Sequence, residues 1–323
     1  MPEATDLSVL IERLRSHPNV QAKLQIASAY SPALGVSGPA LLGDDTAAIP
    51  DGDGYLLFAA EGMIEAFIEF DPWFAGYSAV MVNLSDIAAM GGSPIALTDV
   101  LWTADDSPVA QELWAGMQAA SKAYGVPIVG GHTTRYPVER TPLLAVSVLG
   151  RAKQLITSFG ARPGDRLLMV IDLEAAYRGE NTLFWNASTT STPEKLRAGL
   201  ALFPALAEAG LVTAGKDISN GGLPGTLGML LATSRCGAHV NLDALPRPGE
   251  ATLDRWLLSF PSYGYLLTAR PENAPQVIEH FRAHNLTCAG IGEIIEPLEM
   301  TFTLGPETAR FCEIAAAPSI QKA

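Results

Sequence analysis

The sequence predicts an α/β protein of two domains. Its 323 residues suit two domains or one large one, and 48% of them are hydrophobic, ample material for a core. Apolar strand patterns alternate with amphipathic helix patterns along the chain. Around residues 151–162 the composition turns to a polar connector, which divides the chain into a domain at 1–152 and a second at 153–323.

Residues 5–30 carry an amphipathic pattern, with Leu7, Leu10, Ile11 and Leu14 on one helix face, and Ser31–Pro39 reads as a Gly/Pro/Ser loop. Tyr55–Ala60 reads as a buried strand running into Glu61. In Tyr77–Gly92 (YSAVMVNLSDIAAMGG), Ala79, Val80, Leu84, Ile87 and Ala88 recur at helical spacing, and Gly91 with Gly92 forms a C-terminal stop. Ile95–Trp102 predicts a strand. Ser107 and Pro108 then open a helix to Tyr124 that stops at Gly125. A short strand at Val126–Val129 leads into GGHTTR, and Leu143–Gly150 is the last strand of the first half. Thr192 and Pro193 open a further helix ending near Gly210. The tail alternates a helix over 250–258, a strand at Tyr263–Thr268, a helix at Asn273–His284 and a final strand at Cys288–Ile294.

Composition excludes several function classes. The net charge of −13 argues against a nucleic-acid surface, which needs clustered cations. It suits a protein that gathers carboxylates around a divalent metal, and solubility alone accounts for it equally well. No uncharged apolar stretch is long enough to span a membrane, and the N-terminus lacks the basic start and apolar core of a signal peptide. Cys236, Cys288 and Cys312 are odd in number with no CxxC, which fits a reduced interior. A soluble cytoplasmic protein is expected.

Four stretches hold polar residues of chemical interest. Asn83 and Asp86 share one face of an Ala- and Met-rich helix, where burial costs stability unless they are paired. A pair satisfied by neighbouring backbone and a ligand site are equally open readings. Gly43-Asp44-Asp45 offers adjacent carboxylates for a hard cation, or a solvated turn like Asp51–Gly54. Gly130 and Gly131 let backbone amides approach an anion, with His132 beside them or simply on the surface. In KDISNGGL, the loop through Asp217, Ser219, Asn220 and Gly221 either presents free amides to an anion or is a Gly-rich helix start with a capping serine. No zinc spacing, GxGxxG or GxxxxGK[ST] occurs.

NLSDIAAMGGSP, beginning at Asn83, resembles the signature of the aminoimidazole ribonucleotide (AIR) synthetase superfamily. That group includes thiamin-monophosphate kinase, selenophosphate synthetase, formylglycinamidine ribonucleotide synthetase and a hydrogenase-maturation protein. Its members bind Mg-ATP without a Walker loop. GDD, GGH, ARPGD, DISNGGL and IGEII resemble further family motifs in order along nearly the whole chain. The resemblance implies an AIR-synthetase-like fold, with an N-terminal mixed sheet and a C-terminal α/β sandwich domain. It implies Mg2+ held by Asp45, Glu61, Asp86 and Asp217, and ATP contacted by Asn83, Gly130, Gly131, His132, Ser219, Asn220 and Gly221. It also implies a small-molecule substrate and a homodimer joined through the N-terminal domains, with Tyr55–Ala60 in the shared sheet.

Several positions depart from the pattern. Glu61 replaces an aspartate and keeps its reach to a metal. Ile68 and Pro261 stand where the kinase has a substrate-contacting histidine and glutamate, so thiamin phosphate is disfavoured as substrate. His132 replaces a metal-binding aspartate, as in selenophosphate synthetase, and Asn220 replaces an aspartate. Ser158 occupies the place of an arginine, for which Arg151 could substitute only by reaching. Asp45, Asp86 and Asp217 are retained, which favours an ATP-dependent enzyme that phosphorylates a small molecule. The alternatives are a catalytically decayed nucleotide-binding subunit of a larger assembly and thiamin-monophosphate kinase itself.

Overall fold

The computed structural model describes residues 6–26 and 44–316. They pack as two compact units. One contains Asp45–Leu155 and Ser191–Glu208 (the N-terminal unit). The other contains the described parts of Met1–Asp44, Ile156–Thr190 and Ala209–Ala323 (the C-terminal unit). The N-terminal helices thus join the C-terminal unit, for a packing reason. Helix α1 (Leu7–Ser16), capped by the Asp6 carboxylate, buries Leu7, Leu10, Ile11 and Leu14 in the same core as Leu167, Trp256 and Phe311. The single helix expected over 5–30 breaks at His17, and α2 (Pro18–Ile26) begins on the proline, which cannot supply the amide that continuation needs. The loop expected at Ser31–Pro39, together with Gly43, lies outside the described residues.

The N-terminal unit contains β1 (Ala47–Asp51), β2 (Gly54–Gly62), α3 (Glu65–Phe70), α4 (Pro72–Ala89), β3 (Ser93–Thr103), α5 (Pro108–Tyr124), β4 (Ile128–Arg135), β5 (Leu143–Ala152) and α6 (Pro193–Glu208). Its sheet has the order β1-β2-β5-β3-β4, with β3 and β4 parallel and the other pairs antiparallel. Leu57, Ala59, Val146, Val148 and Leu97 point to the side covered by α4, while Phe58 and Leu149 pair on the opposite face and are exposed. Helix α6 packs on α4 and α5, which places it in this unit despite its position in the chain.

The C-terminal unit contains β6 (Arg166–Ile171), β7 (Ala176–Tyr177), β8 (Phe184–Asn186), β9 (Ala214–Asp217), α7 (Gly222–Ser234), β10 (Gly237–Asn241), α8 (Leu253–Leu258), β11 (Phe260–Pro261), β12 (Gly264–Ala269), α9 (Ala274–Arg282), β13 (Thr287–Ile295), β14 (Glu299–Leu304) and β15 (Glu307–Glu313). Its main sheet has the order β15-β14-β10-β13-β6-β12-β9, with only β10 and β14 parallel, and β11-β8-β7 form a small second sheet. The strand expected to be last, β13, is followed by a further hairpin whose Met300, Phe302 and Phe311 fill the core. Each domain is therefore a mixed α and β structure. No helix among the described residues is long and apolar enough to cross a membrane.

Candidate metal and ligand site

Helix α4 carries the central motif. Asp71 caps it by accepting from the Phe74 amide at 3.0 Å, and Pro72 occupies the first turn, so the helix starts before the apolar pattern at Tyr77. The sheet, α3, α5 and α6 all pack against it. At the crossing with α5, a Cβ on Gly76 would collide with the Leu113 carbonyl, and one on Gly116 with the Trp73 carbonyl. Asn83 is fully buried. Its Nδ2 donates to the Ala79 carbonyl at 2.8 Å, and its Oδ1 has no hydrogen-bond partner among the described residues.

Asp86, one turn further on, is 7% exposed. The bend before β1 brings an Asp45 carboxylate oxygen within 4.8 Å of one of Asp86. The neighbouring Asp44 is engaged elsewhere, accepting the Ser158 amide at 2.9 Å. Two carboxylates this close repel unless a cation or proton lies between them. Oxygens around one octahedral magnesium sit about 3–4 Å apart, given metal–oxygen distances of about 2.0–2.1 Å. The hard-oxygen donor type suits Mg2+, and the 4.8 Å bound leaves room for both carboxylates to close on one ion.

The other positions in this unit fall as follows. Glu61 is exposed near the end of β2 and does not complete a trio with Asp45 and Asp86. Ile68 is wholly buried in α3, a core residue. Gly130, Gly131 and His132 are exposed, yet they lie inside strand β4 and not in a loop after it, because β4 pairs with β3 as far as Arg135. Arg151 forms an ion pair with Asp51, so that turn is tied to β5 and the arginine is committed locally.

One residue escaped the sequence reading. Asp99 stands on the inward face of β3 between Leu97 and Leu101 and is itself 7% exposed. Burial pushes its carboxyl above the usual carboxylate range, a hydrogen bond from its own amide offsetting part of the shift. A lone acid on the apolar side of a strand was the available signal.

In the C-terminal unit, Asp217 ends β9 and is buried. The loop after it leads into α7 with Gly221 as N-cap (φ 103°), followed by Gly222 (φ 61°). A Cβ on Gly222 would strike the Leu257 carbonyl, so this glycine has a structural reason of its own. Ser219 does not cap the helix. Its amide instead donates to the Thr226 hydroxyl at 3.3 Å. Asn220 Oδ1 is buried without a hydrogen-bond partner among the described residues. Ser158 is fully buried, its carbonyl accepting from the Thr233 and Ser234 hydroxyls, while Pro261 lies in the small sheet.

Residues 43–152 match the family model described as AIR synthase related protein, N-terminal domain, and residues 162–305 match that of its C-terminal domain. The chain belongs to the AIR synthase-related family. A relative from Synechocystis sp., the uncharacterized protein sll0787, is 49% identical over 277 residues, covering 86% of this chain and 85% of the relative. Thiamine-monophosphate kinase of Salmonella typhimurium is 31% identical over 208 residues, covering 59% of this chain and 62% of the kinase. Among solved structures, T. maritima PurL complexed with ADP superposes with a TM-score of 0.75 at 21% identity, over 98% of this chain and 55% of that one. This AIR synthase-related chain thus spans about half of that PurL chain. The shared fold is what that likeness shows.

Proposed function

We propose that this chain is a Mg-ATP-dependent enzyme that activates a small molecule by phosphorylation. The observation that carries this reading is the approach of the Asp45 carboxylate to within 4.8 Å of that of Asp86, which lies in the family's most specific motif. Asp217 and Glu61 remain in the proposed ligand set on their motif positions. Asn83, Gly130, Gly131, His132, Ser219, Asn220 and Gly221 remain the proposed nucleotide contacts. Magnesium, when bound, supplies charge neutralisation and orientation of phosphates. Asp45 and Asp86 would hold it, and the open Oδ1 of Asn83 can accept a hydrogen bond from the bound ligand or its water. The burial of Ile68 supports setting thiamin-monophosphate kinase aside, since a core side chain is not available to a substrate.

We place the protein in the cytoplasm. Its three cysteines, free and not paired in disulfides, support this. We also propose a homodimer joined through the N-terminal units, supported by the exposed apolar sheet face around Phe58 and Leu149.

Calorimetric titration with Mg-AMPPCP tests the site. Asp86→Asn keeps the shape and removes the charge, and should lower affinity by on the order of 2–4 kcal/mol, as for breaking a desolvated charge partnership. The unliganded variant should melt at the same temperature or higher, because carboxylate crowding is relieved. Asp51→Asn loses only a half-exposed ion pair, costing about 0–1 kcal/mol of stability, and should leave nucleotide affinity alone. Equal binding by Asp86→Asn and the parent would sink the assignment. Tight binding without ADP formation across candidate acceptors would favour the decayed-subunit alternative.

A further inference from the structure

Asp99 has no function in the reading above, yet its placement is costly. The residue is 7% exposed, no cation pairs with its carboxylate among the described residues, and the one donor reaching it is its own backbone amide. A buried carboxylate left in that state is unfavourable, and a strand position between two buried leucines would pack better with a third apolar side chain.

The carboxylate lines a cavity of about 720 Å3 bounded by β3, β4 and the first half of α5. That volume is in the range of small-molecule sites. Leu101, Ile128 and Trp114, the last 39% exposed, supply an apolar and aromatic wall, while Thr103, Ser107 and Thr133 add hydroxyls. Gly131 sits directly over the acid, and a Cβ there would collide with the Asp99 carboxylate. The glycine leaves the acid room beside the cavity.

Charge selects the occupant. The lining holds Asp99, Asp106 and His132, and neither lysine nor arginine. The His132 imidazole aside, an anion finds no cation here, and Gly130, Gly131 and His132, which also line the cavity, are where it would adjoin the proposed nucleotide site. The start of α5 offers little compensation, since the Ala110 amide already donates to Ser107 Oγ at 3.3 Å. A group that carries positive charge or presents N–H donors would instead satisfy Asp99, and a flat apolar body attached to it could lie on Trp114.

We propose that this cavity binds a small nitrogen base (an amine, amidine or amino-heterocycle) whose N–H-bearing end pairs with Asp99 and whose body lies against Trp114. The binding site stands on its own geometry. That its occupant is the molecule activated by ATP rests on the function proposed above.

The probe is benzamidine, with neutral benzamide and anionic benzoate as isosteres, titrated by calorimetry without nucleotide or metal. The parent protein should bind benzamidine saturably and roughly tenfold or more tighter than benzamide, the value of one charge-assisted hydrogen bond. Asp99→Asn and Asp99→Leu should both abolish that preference, and melting curves confirm that each is folded. The preference in the parent is informative even if a variant fails to fold. Absence of saturable benzamidine binding up to roughly 10 mM, or equal affinity for the three probes, overturns the proposal. It also fails if Asp99→Asn weakens Mg-AMPPCP and spares benzamidine, which would give the carboxylate to the nucleotide. Because benzamidine is read without ATP, a protein that never binds Mg-AMPPCP leaves this measurement intact.

Discussion

Asp86 and Asp99 are equally buried, each 7% exposed, and differ in what stands beside them. Asp86 faces a second carboxylate, Asp45, an arrangement that a divalent cation relieves. Asp99 stands between leucines, and burial raises its pKa above the ordinary 3.8. A carboxyl raised on folding contributes stability that is fully present below the unfolded pKa and is lost as pH rises through the folded one. The parent should therefore lose stability through that window, while Asp99→Asn, lacking the titration, should not. The variant's gain in melting temperature should be larger near pH 7 than near pH 4; Asp106 and His132 are the other ionisable residues lining the same cavity. A gap that is the same at both pH values would show that Asp99 does not carry the burial cost assigned to it.

At the scale of elements, local signals decided what could be read. The helix from Ser107 to Gly125 was legible to the residue, because a serine cap, a proline in the first turn and a left-handed glycine stop all act within a few residues. The start of α4 carries the same kind of signal in Asp71 and Pro72, ahead of the apolar pattern that begins at Tyr77. GGHTTR misled because a glycine pair suggests a loop, whereas pairing with β3 holds it extended. The adherence of α1 to the C-terminal core and the approach of Asp45 to Asp86 are tertiary facts with no local trace. The close crossing of α4 and α5 belongs here too. Gly116→Ala forces a methyl against the Trp73 carbonyl and should cost about 1–3 kcal/mol in denaturant unfolding. Gly130→Ala, with nothing within 4 Å, should stay within about 0.5 kcal/mol of the parent. Equal effects of the two would remove the packing explanation.

At the scale of the whole molecule, the telling feature is a sheet that, among the described residues, is covered on one side. Within the N-terminal unit, α4 lies on the face formed by Leu57, Val146 and Val148. On the other face Phe58 is 49% exposed and pairs directly with Leu149, 37% exposed, while Ile49 on the edge strand is 46% exposed. Adjacent apolar side chains on an open sheet are unfavourable in water and invite a partner. A second copy is the simplest one, since two-fold packing sets the same patch against itself. Light scattering at micromolar concentration should therefore give twice the 34.1 kDa chain mass. Leu149→Glu places a charge at the centre of the patch and should shift the protein to the monomer with its fold retained, because the side chain already meets solvent. Should the parent run as a monomer, the apolar face needs a different cover, and the homodimer is wrong.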